Sequence, residues 1–330
     1  MTATVEMTYR QAIAQAMIEE MERDPKVLLL GEDVGAFGGA MAASKGVHDR
    51  FGDKRVIDTP ISEAAIIGAG LGAAITGLRP IVEVMFIDFT GVCMDQIANQ
   101  VAKVRYMLGG QVEVPLVIRT QGGAGKSYAA QHSQSLEVWF AAIPGLKVVM
   151  PATPADAKGL LKNAIRLNDP VLFIEHKLLY GDKGPTPTDV QFLLPIGKAQ
   201  VVRQGRDVTI VSYSRQLLMS LSAAQALAAD GIDCEVIDLR TISPLDMATI
   251  LESLGRTGRL VVVEEGHKSF GVGAEISARV MEQAFDLLEA PVQRVGSLDS
   301  PIPFSPVLEA EVIPNAAKIA AAVKRLFARN

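Results

Sequence analysis

The sequence predicts an α/β fold with two domains, each a parallel sheet covered by helices. Short apolar runs alternate with helical patterns along almost the whole chain, which is typical of parallel strands buried on both faces. The length of 330 residues is enough for two domains of ordinary size. A segment rich in Pro, Gly and Asp interrupts the alternation. We therefore expect domains at 1–180 and 196–330, joined by a linker at 181–195.

The first domain begins with a helical pattern that Thr8 can cap. Pro154 suits the first turn of a later helix, because the backbone N–H that proline lacks would have no hydrogen-bond partner within the helix at that position. The predicted strands are Val27–Leu30, Arg55–Ile57, Ile81–Met85, Pro115–Arg119, Lys147–Met150 and Val171–Ile174, and the predicted helices are Tyr9–Glu22, Ala64–Thr76, Met94–Met107 and Ala155–Arg166.

The second domain restarts the same alternation after the linker, so it should form a second parallel sheet. Its predicted strands are Val208–Val211, Cys234–Ile237, Leu260–Val263 and Val292–Val295, and its predicted helices are Arg215–Ala229, Asp246–Leu254 and Val272–Leu288.

Composition excludes several classes of protein. Hydrophobic residues make up 49% and charged residues 21%, which is globular rather than disordered usage. The net charge of -5 argues against a nucleic acid or an anionic membrane as partner. Cys93 and Cys234 are too far apart in sequence to suggest a disulfide framework or a zinc site. The chain begins with no secretory signal, and its longest apolar stretch, 64–78, is shorter than the roughly 20 residues of a membrane span, so we expect a cytoplasmic protein.

Two glycine-rich stretches match parts of nucleotide-binding motifs, but each lacks a feature that the complete motif requires. Gly68, Gly70 and Ala73 have the spacing of a dinucleotide fingerprint, but they follow a helix start rather than a strand. We interpret them as small residues that let a helix pack closely. The run 125–127 resembles the end of a phosphate loop, yet the first glycine of that motif is missing. We interpret it as a flexible loop at the edge where α/β proteins bind ligands.

Glu63 and His132 are the residues whose positions best suit catalysis. Glu63 follows a predicted strand and opens a helix, whose N-terminus favours a carboxylate. Its alternative role is that of a capping partner, whereas its apolar neighbours favour proton transfer. His132 follows the Gly-rich loop, and its alternative is an exposed histidine at a helix start. We interpret His48 and His176 as surface residues, and His267 is a weaker candidate.

Eight short motifs occur in a fixed order between Tyr9 and Lys324. They are Leu30–Val34, Asp58–Glu63, Asp95–Gln100, Gln131–Ser135, Pro144–Val149, Asp156–Leu160, Val236–Thr241 and Phe270–Ile276. Together they resemble the beta subunit of the thiamine-diphosphate-dependent first component of 2-oxo-acid dehydrogenase complexes. The resemblance implies a transketolase-like pyrimidine-binding domain followed by a transketolase C-terminal domain.

The resemblance also implies roles for individual residues. Glu63 matches the glutamate that hydrogen-bonds the aminopyrimidine ring of thiamine diphosphate and helps the cofactor lose its thiazolium proton, and the cofactor itself carries the carbon chemistry. Ile61, Met85 and Phe89 match positions that bind the cofactor. His132 matches an active-site histidine that serves transfer to a lipoyl group.

The resemblance further predicts metals and partners. Family alpha subunits carry a Gly-Asp-Gly stretch that holds Mg2+ and the diphosphate, and this sequence has none. We therefore expect an alpha2-beta2 heterotetramer whose alpha subunit holds most of the Mg2+ site, acting with a lipoyl-bearing acyltransferase core. Some members hold a structural K+, and the matching positions are Leu116, Ala164, Ile165, Leu167 and Asp169.

The substrate is less well defined by these motifs. Residues 303–309 and 83–89 resemble the acetoin dehydrogenase branch, whereas Asp58–Glu63 and Phe270–Ile276 suit pyruvate enzymes equally well. Met85 stands where branched-chain members usually have glutamine. We favour acetoin over pyruvate. Two other classes stay open: a structural subunit that docks a carrier-protein domain, and a nucleotide-binding protein.

Overall fold

The computed structural model describes residues 3–328 and divides into two units. Of these residues, unit 1 comprises those up to Gly122 together with Trp139–Ile196, and unit 2 comprises Gly123–Val138 and those from Gly197 onward. Residues 123–138, which the predicted boundaries include in the first domain, are grouped with unit 2 by their contacts. In the described part of the chain, no helix is long and apolar enough to cross a membrane.

Unit 1 is built on parallel strands with helices packed against them, as its sequence predicts. The strands are β1 (Thr4–Thr8), β2 (Val27–Gly31), β3 (Val56–Asp58), β4 (Arg79–Val84), β5 (Val117–Gly122), β6 (Lys147–Val149), β7 (Val171–His176) and β8 (Lys183–Pro187); the helices are α1 (Tyr9–Arg23), α2 (Val47–Phe51), α3 (Glu63–Ile75), α4 (Val104–Met107), α5 (Glu137–Ala141, whose first residues belong to unit 2) and α6 (Pro154–Arg166). The parallel strands lie in the order β6-β7-β5-β4-β2-β3, and β1 pairs with β8 in a separate antiparallel ribbon.

Unit 2 has its own sheet in the order β14-β13-β10-β11-β9, in which β9 alone is antiparallel. Its strands are β9 (Gln200–Arg203), β10 (Val208–Ser212), β11 (Cys234–Asp238), β12 (Thr241–Ser243), β13 (Leu260–His267) and β14 (Gln293–Ser297); its helices are α7 (Arg215–Ala229), α8 (Met247–Thr257), α9 (Val272–Ala284), α10 (Pro306–Val312) and α11 (Ala316–Arg325). The predicted α/β class is confirmed, with every predicted strand found within a few residues of its expected bounds.

The predicted helix starts are confirmed at both positions that carried a local signal. The Gln11 amide donates to Thr8 Oγ1 at 3.3 Å, and the Thr8 amide donates back to Gln11 Oε1 at 2.9 Å, which forms a capping box before α1. Pro154 is the first residue of α6, after an N-cap at Thr153. The helix predicted over Met94–Met107 is instead divided into a π-helical segment, Gln96–Val101, and the short α4.

The segment interpreted as a linker is packed against unit 1. Lys158 Nζ in α6 donates to the Pro187 carbonyl at 2.8 Å, and Lys162 donates to the Val190 carbonyl. Both lysines are buried and pair with the Glu19 carboxylate of α1. Buried ammonium groups require such partners, so these contacts fix the segment on the α1–α6 pair.

The glycines of the apparent dinucleotide fingerprint lie inside α3, which confirms that they do not form a strand-to-helix turn. At Gly70 a Cβ would lie 2.5 Å from Val82 Cγ1 of β4 and 3.2 Å from Leu116 Cδ1. At Gly72, two residues further along the same helix, a Cβ would meet nothing within 4 Å. Gly70 therefore permits the close approach of α3 to the sheet.

Gly70→Ala should lower the free energy of unfolding by about 1–3 kcal/mol, because the added methyl overpacks the contact with Val82. Gly72→Ala is the matched control and should leave stability unchanged or raise it by up to ~1 kcal/mol through helix propensity. Urea unfolding of the two variants measures the difference. Equal stability of the two variants would contradict the packing role of Gly70.

Candidate active site

Acidic side chains gather at the carboxyl edge of the unit 1 sheet. Glu32 directly follows β2, Glu63 follows the end of β3 and opens α3, and Glu83 lies near the end of β4. Since β2 has β3 and β4 as parallel neighbours, these chain segments leave the sheet side by side. The carboxyl edge is where open α/β sheets bind ligands. The structure therefore places Glu63 after a strand and at a helix start, as the sequence predicted, and at the carboxyl edge of the sheet.

Glu63 combines burial with a small exposed surface. It is the first residue of α3, and 8% of its surface is exposed. Ile66 and Ile67 are buried beside it in the helix, whereas Ala64 and Ala65 are exposed. The helix N-terminus favours a negative charge at this position. The carboxyl is thus fixed by the fold and still reachable by a bound molecule.

Glu32 is the residue at this edge that sequence reasoning did not single out. Burial raises the pKa of Glu32, and the negative charges of Glu63, Asp33 and Glu83 raise it further. Its Oε1 is buried and has no hydrogen-bond partner among the described residues. A buried acceptor without a donor indicates a place where a ligand could supply one. Its position directly after β2 is the signal that could have found it.

The neighbouring Cys93 is a buried, free thiol. Burial and then the charge of Glu63 raise the pKa of the Cys93 thiol to about 12. Burial likewise raises the pKa of Cys234 in unit 2 to about 11. Both cysteines are free and buried, as expected without a disulfide framework. Their raised pKa values disfavour the thiolate at neutral pH, and both side chains pack in the interior.

Apolar side chains flank the acidic edge. Met85 directly follows β4, and Phe89 lies on the 3-10 turn Ile87–Gly91; both are half-buried. The Phe89 ring lies edge-on to Phe86, with centroids 5.9 Å apart and planes at 72°. Ile61 is 82% exposed. Carboxylates beside apolar and aromatic side chains can hold a flat heterocycle through its ring faces and its polar edge.

His132 belongs to unit 2 and is half-buried in a loop of residues 123–134. The Gly123 amide donates to the Gln134 carbonyl at 3.0 Å, which closes that loop. His267 is exposed, and its Nδ1 lies 2.8 Å from the Leu298 carbonyl.

The surface interpretation of His176 was wrong. Its side chain is only 4% exposed at the end of β7, and its Nδ1 accepts a hydrogen bond from the Leu178 amide at 3.1 Å. Charged neighbours in sequence misled the prediction, because residues that end a central strand are covered by the loops around them. His48 is partly exposed, and Asp53 hydrogen-bonds it at 2.7 Å.

Comparison with known proteins gives a consistent assignment. The family described as transketolase, pyrimidine binding domain, matches residues 5–183, and transketolase, C-terminal domain, matches residues 197–319. The acetoin:2,6-dichlorophenolindophenol oxidoreductase subunit beta of Cupriavidus necator is 51% identical over 97% of both chains. The chain belongs to the beta-subunit family of thiamine-diphosphate-dependent 2-oxo-acid and acetoin dehydrogenases.

Other members of this beta-subunit family are almost as similar. The pyruvate dehydrogenase E1 component subunit beta of Rhizobium meliloti is 49% identical over 98% of this chain and 70% of its own. The mitochondrial subunit of Bos taurus is 49% identical over 98% and 91%. A solved split-gene transketolase, described as an inactive beta4 tetramer, has a TM-score of 0.80 at 24% identity, covering 97% of this chain and 98% of that chain. That likeness supports the fold alone.

The residues of the acidic edge fit the pyrimidine half of the family's cofactor. An aminopyrimidine offers both a ring nitrogen and an amino donor, and the edge offers the Glu63 carboxyl and the unpartnered Glu32 Oε1. Phe89 and Met85 offer apolar contact. For the Mg2+–diphosphate half, no group of three or more His, Cys, Asp or Glu suited to a metal occurs within residues 3–328.

The residues expected to bind K+ do not fit that ion. The Arg79 guanidinium donates to the carbonyls of Ile165, at 2.9 Å, and Leu167. The Asp169 carboxylate pairs with Lys147 at 2.8 Å and with Arg105. Like charges about 4 Å apart repel by about 4 kcal/mol near a protein surface. A further cation at these carbonyls would be repelled by Arg79, and the Asp169 carboxylate is already paired with Lys147 and Arg105.

The Leu116 and Ala164 carbonyls accept the amides of Val171 and Leu167. Each carbonyl oxygen has two lone pairs, so these bonds alone would not exclude an ion. The misfit between these residues and K+ therefore rests on Arg79 and on the cations beside Asp169.

Exchanging K+ for Na+ at constant ionic strength should leave the Tm of this chain unchanged, because the Arg79 guanidinium at the carbonyls of Ile165 and Leu167 would repel a second cation. Thermal unfolding followed by circular dichroism in the two chloride salts measures this. A higher Tm in K+ than in Na+ would show that an ion binds here despite the guanidinium.

Proposed function

We propose that this chain is the beta subunit of an acetoin dehydrogenase that depends on thiamine diphosphate, cleaves acetoin and transfers the two-carbon unit to a lipoyl carrier. The observation that carries the proposal is the buried carboxyl of Glu63 at the acidic edge, in a chain 51% identical to an acetoin oxidoreductase beta subunit over nearly the full length of both. The motifs at 83–89 and 303–309 also favour acetoin.

A pyruvate dehydrogenase beta subunit is the second candidate function. The relatives that carry that name are 49% identical, close to the value for the acetoin relative. Acetoin and pyruvate both deliver a two-carbon unit to the cofactor, so the chemistry asked of Glu63 is the same for either. The two candidates differ in the substrate, acetoin or pyruvate, that must bind next to the cofactor.

Glu63 would act on the pyrimidine edge of the bound cofactor. Thiamine diphosphate, when bound, supplies the carbanion chemistry needed to break a bond next to a carbonyl. Glu63 would hydrogen-bond a ring nitrogen and exchange a proton with it. Its position at a helix start and its burial fix the carboxyl for this exchange. Phe89, Met85 and Ile61 would contact the ring, and His132 would serve the transfer to the lipoyl group.

The proposal requires an alpha subunit, most simply in an alpha2-beta2 heterotetramer. The chain offers residues for the pyrimidine but no Gly-Asp-Gly stretch for the Mg2+ and the diphosphate. Ile61, at 82% exposure beside the acidic edge, is an apolar side chain that a partner subunit and the cofactor would cover. A lipoyl-bearing acyltransferase would accept the product.

Glu63→Gln should reduce acetoin-dependent activity of the enzyme assembled from both subunits at least about a hundredfold, because the amide cannot exchange the proton. Assembly should be unaffected, since the substitution preserves size. Steady-state assays with acetoin and with pyruvate on wild type and variant measure both the role of Glu63 and the substrate. Asp95→Asn, at the start of the π-helical segment, is the control: it also replaces a carboxylate by an amide of equal size, and it should retain activity.

Full activity of assembled Glu63→Gln enzyme would refute the role of Glu63. A wild-type enzyme that used pyruvate with the higher kcat/KM would replace the acetoin proposal by the second candidate, and would leave the proton-transfer role intact.

A further inference from the structure

The loop of residues 123–134, named here the His132 loop, is held by two carboxylates from other elements of unit 2. Its Ala124 amide donates to Glu265 Oε1 of β13 at 2.7 Å. Ala124 is itself 1% exposed and packs in an apolar cluster with Ile302, Val312 and Ile313. The start of the loop is thus fixed both by a charge-assisted hydrogen bond and by apolar packing.

The second carboxylate, Glu309 of α10, binds the next part of the loop with both of its oxygens. The Gly125 amide donates to Oε1 at 2.7 Å, and the Ser127 amide donates to Oε2 at 3.0 Å. The Ser127 hydroxyl lies 3.4 Å from the same Oε2. Glu309 therefore accepts from two backbone amides at once, in the way that a concave run of amides binds an anion.

The backbone of the loop needs such support. Gly123 and Gly125 have φ of 90° and 95°, and Ser127 and Ala129 also have positive φ, at 55° and 62°. Residues with a Cβ adopt this left-handed region only at a cost in free energy, and they keep it where surrounding contacts determine it. The bonds to Glu309 include the amide of Ser127, one of the two strained positions.

Because the two carboxylates are buried, they depend on the loop amides as much as the loop depends on them. Glu309 is 3% exposed and Glu265 is 7% exposed, so neither carboxylate is solvated fully by water. A buried charge must be compensated by donors, and the described donors to Glu309 are those of the loop. The side chain and the loop therefore stabilise each other.

The His132 loop also forms one wall of a cavity of about 450 Å³ within unit 2. Ser133 and Gln134 of the loop line it together with Glu265 and His267. The Ser133 hydroxyl is buried and has no hydrogen-bond partner among the described residues. The shape of this cavity, and the orientation of the residues next to His132, depend on the loop keeping its conformation.

We propose that Glu309, with Glu265, is a positioning residue that fixes the His132 loop in the conformation from which His132 serves transfer of the two-carbon unit. This inference rests on the proposed function, which supplies the role of His132. Glu309 itself lies on α10 and acts only through the backbone of the loop.

The test compares Glu309→Gln with Glu311→Gln in the enzyme assembled from both subunits. Glu311 is exposed on the same helix and serves as the matched control. An amide offers one acceptor where the carboxylate offers two, so Glu309→Gln should speed amide hydrogen exchange in a peptide spanning Gly125–Ser127 roughly tenfold. Trypsin cleavage after the exposed Lys126 should accelerate in parallel. Hydrogen exchange over the sheet of unit 2 should be unchanged in both variants, which excludes a general loss of folding.

The kinetic arm measures transfer to a lipoyl domain. Glu309→Gln should lower kcat for that transfer roughly tenfold, leave KM for the two-carbon donor unchanged and match the kinetic defect of His132→Gln. Unchanged loop exchange in Glu309→Gln would overturn the inference, and so would faster exchange with normal transfer. A fully active His132→Gln enzyme would instead remove the role of His132 from the proposed function, and the exchange data would still report on the contact between Glu309 and the loop.

Discussion

The buried guanidinium of Arg119 is the constraint on which the acidic edge of unit 1 depends. Arg119 lies in β5, and its Nη1 is 2.7 Å from Glu83 of β4. Its Nε and Nη2 donate to the two oxygens of Glu175 in β7, at 2.7 and 2.9 Å. All three side chains are at most 2% exposed. One cation thus joins three adjacent strands, and loss of one partner of such a group typically costs about 3–5 kcal/mol.

This arrangement explains how carboxylates can be concentrated at one edge without unfolding the sheet. Arg119 neutralises Glu83 and Glu175. Among the described residues, no Lys or Arg forms an ion pair with Glu32 or Glu63. The pKa of Glu32 is raised first by burial and then by the charge of Glu63. An edge with unsatisfied acceptor capacity is suited to a ligand that brings hydrogen-bond donors, as an aminopyrimidine does.

The sheets and their helices could be predicted because their signals are local. Apolar runs identified the central strands, and Thr8 identified the start of α1. The position of Glu63 after a strand and at the start of α3 could be predicted for the same reason. Glu32 was missed although it follows a predicted strand, because its importance depends on β2 lying between β3 and β4, and spacing in the sequence does not reveal that neighbourhood. The burial of Lys158 and Lys162 was equally hidden, because it depends on Glu19 from α1.

The central claim is that this chain supplies the pyrimidine half of a site completed by an alpha subunit. Calorimetric titration of thiamine diphosphate with Mg2+ tests it most directly, first into this chain alone and then into the chain co-expressed with its alpha subunit. We expect binding only to the co-expressed pair. Tight binding to the isolated chain would mean that it holds a complete diphosphate site, and would contradict the account.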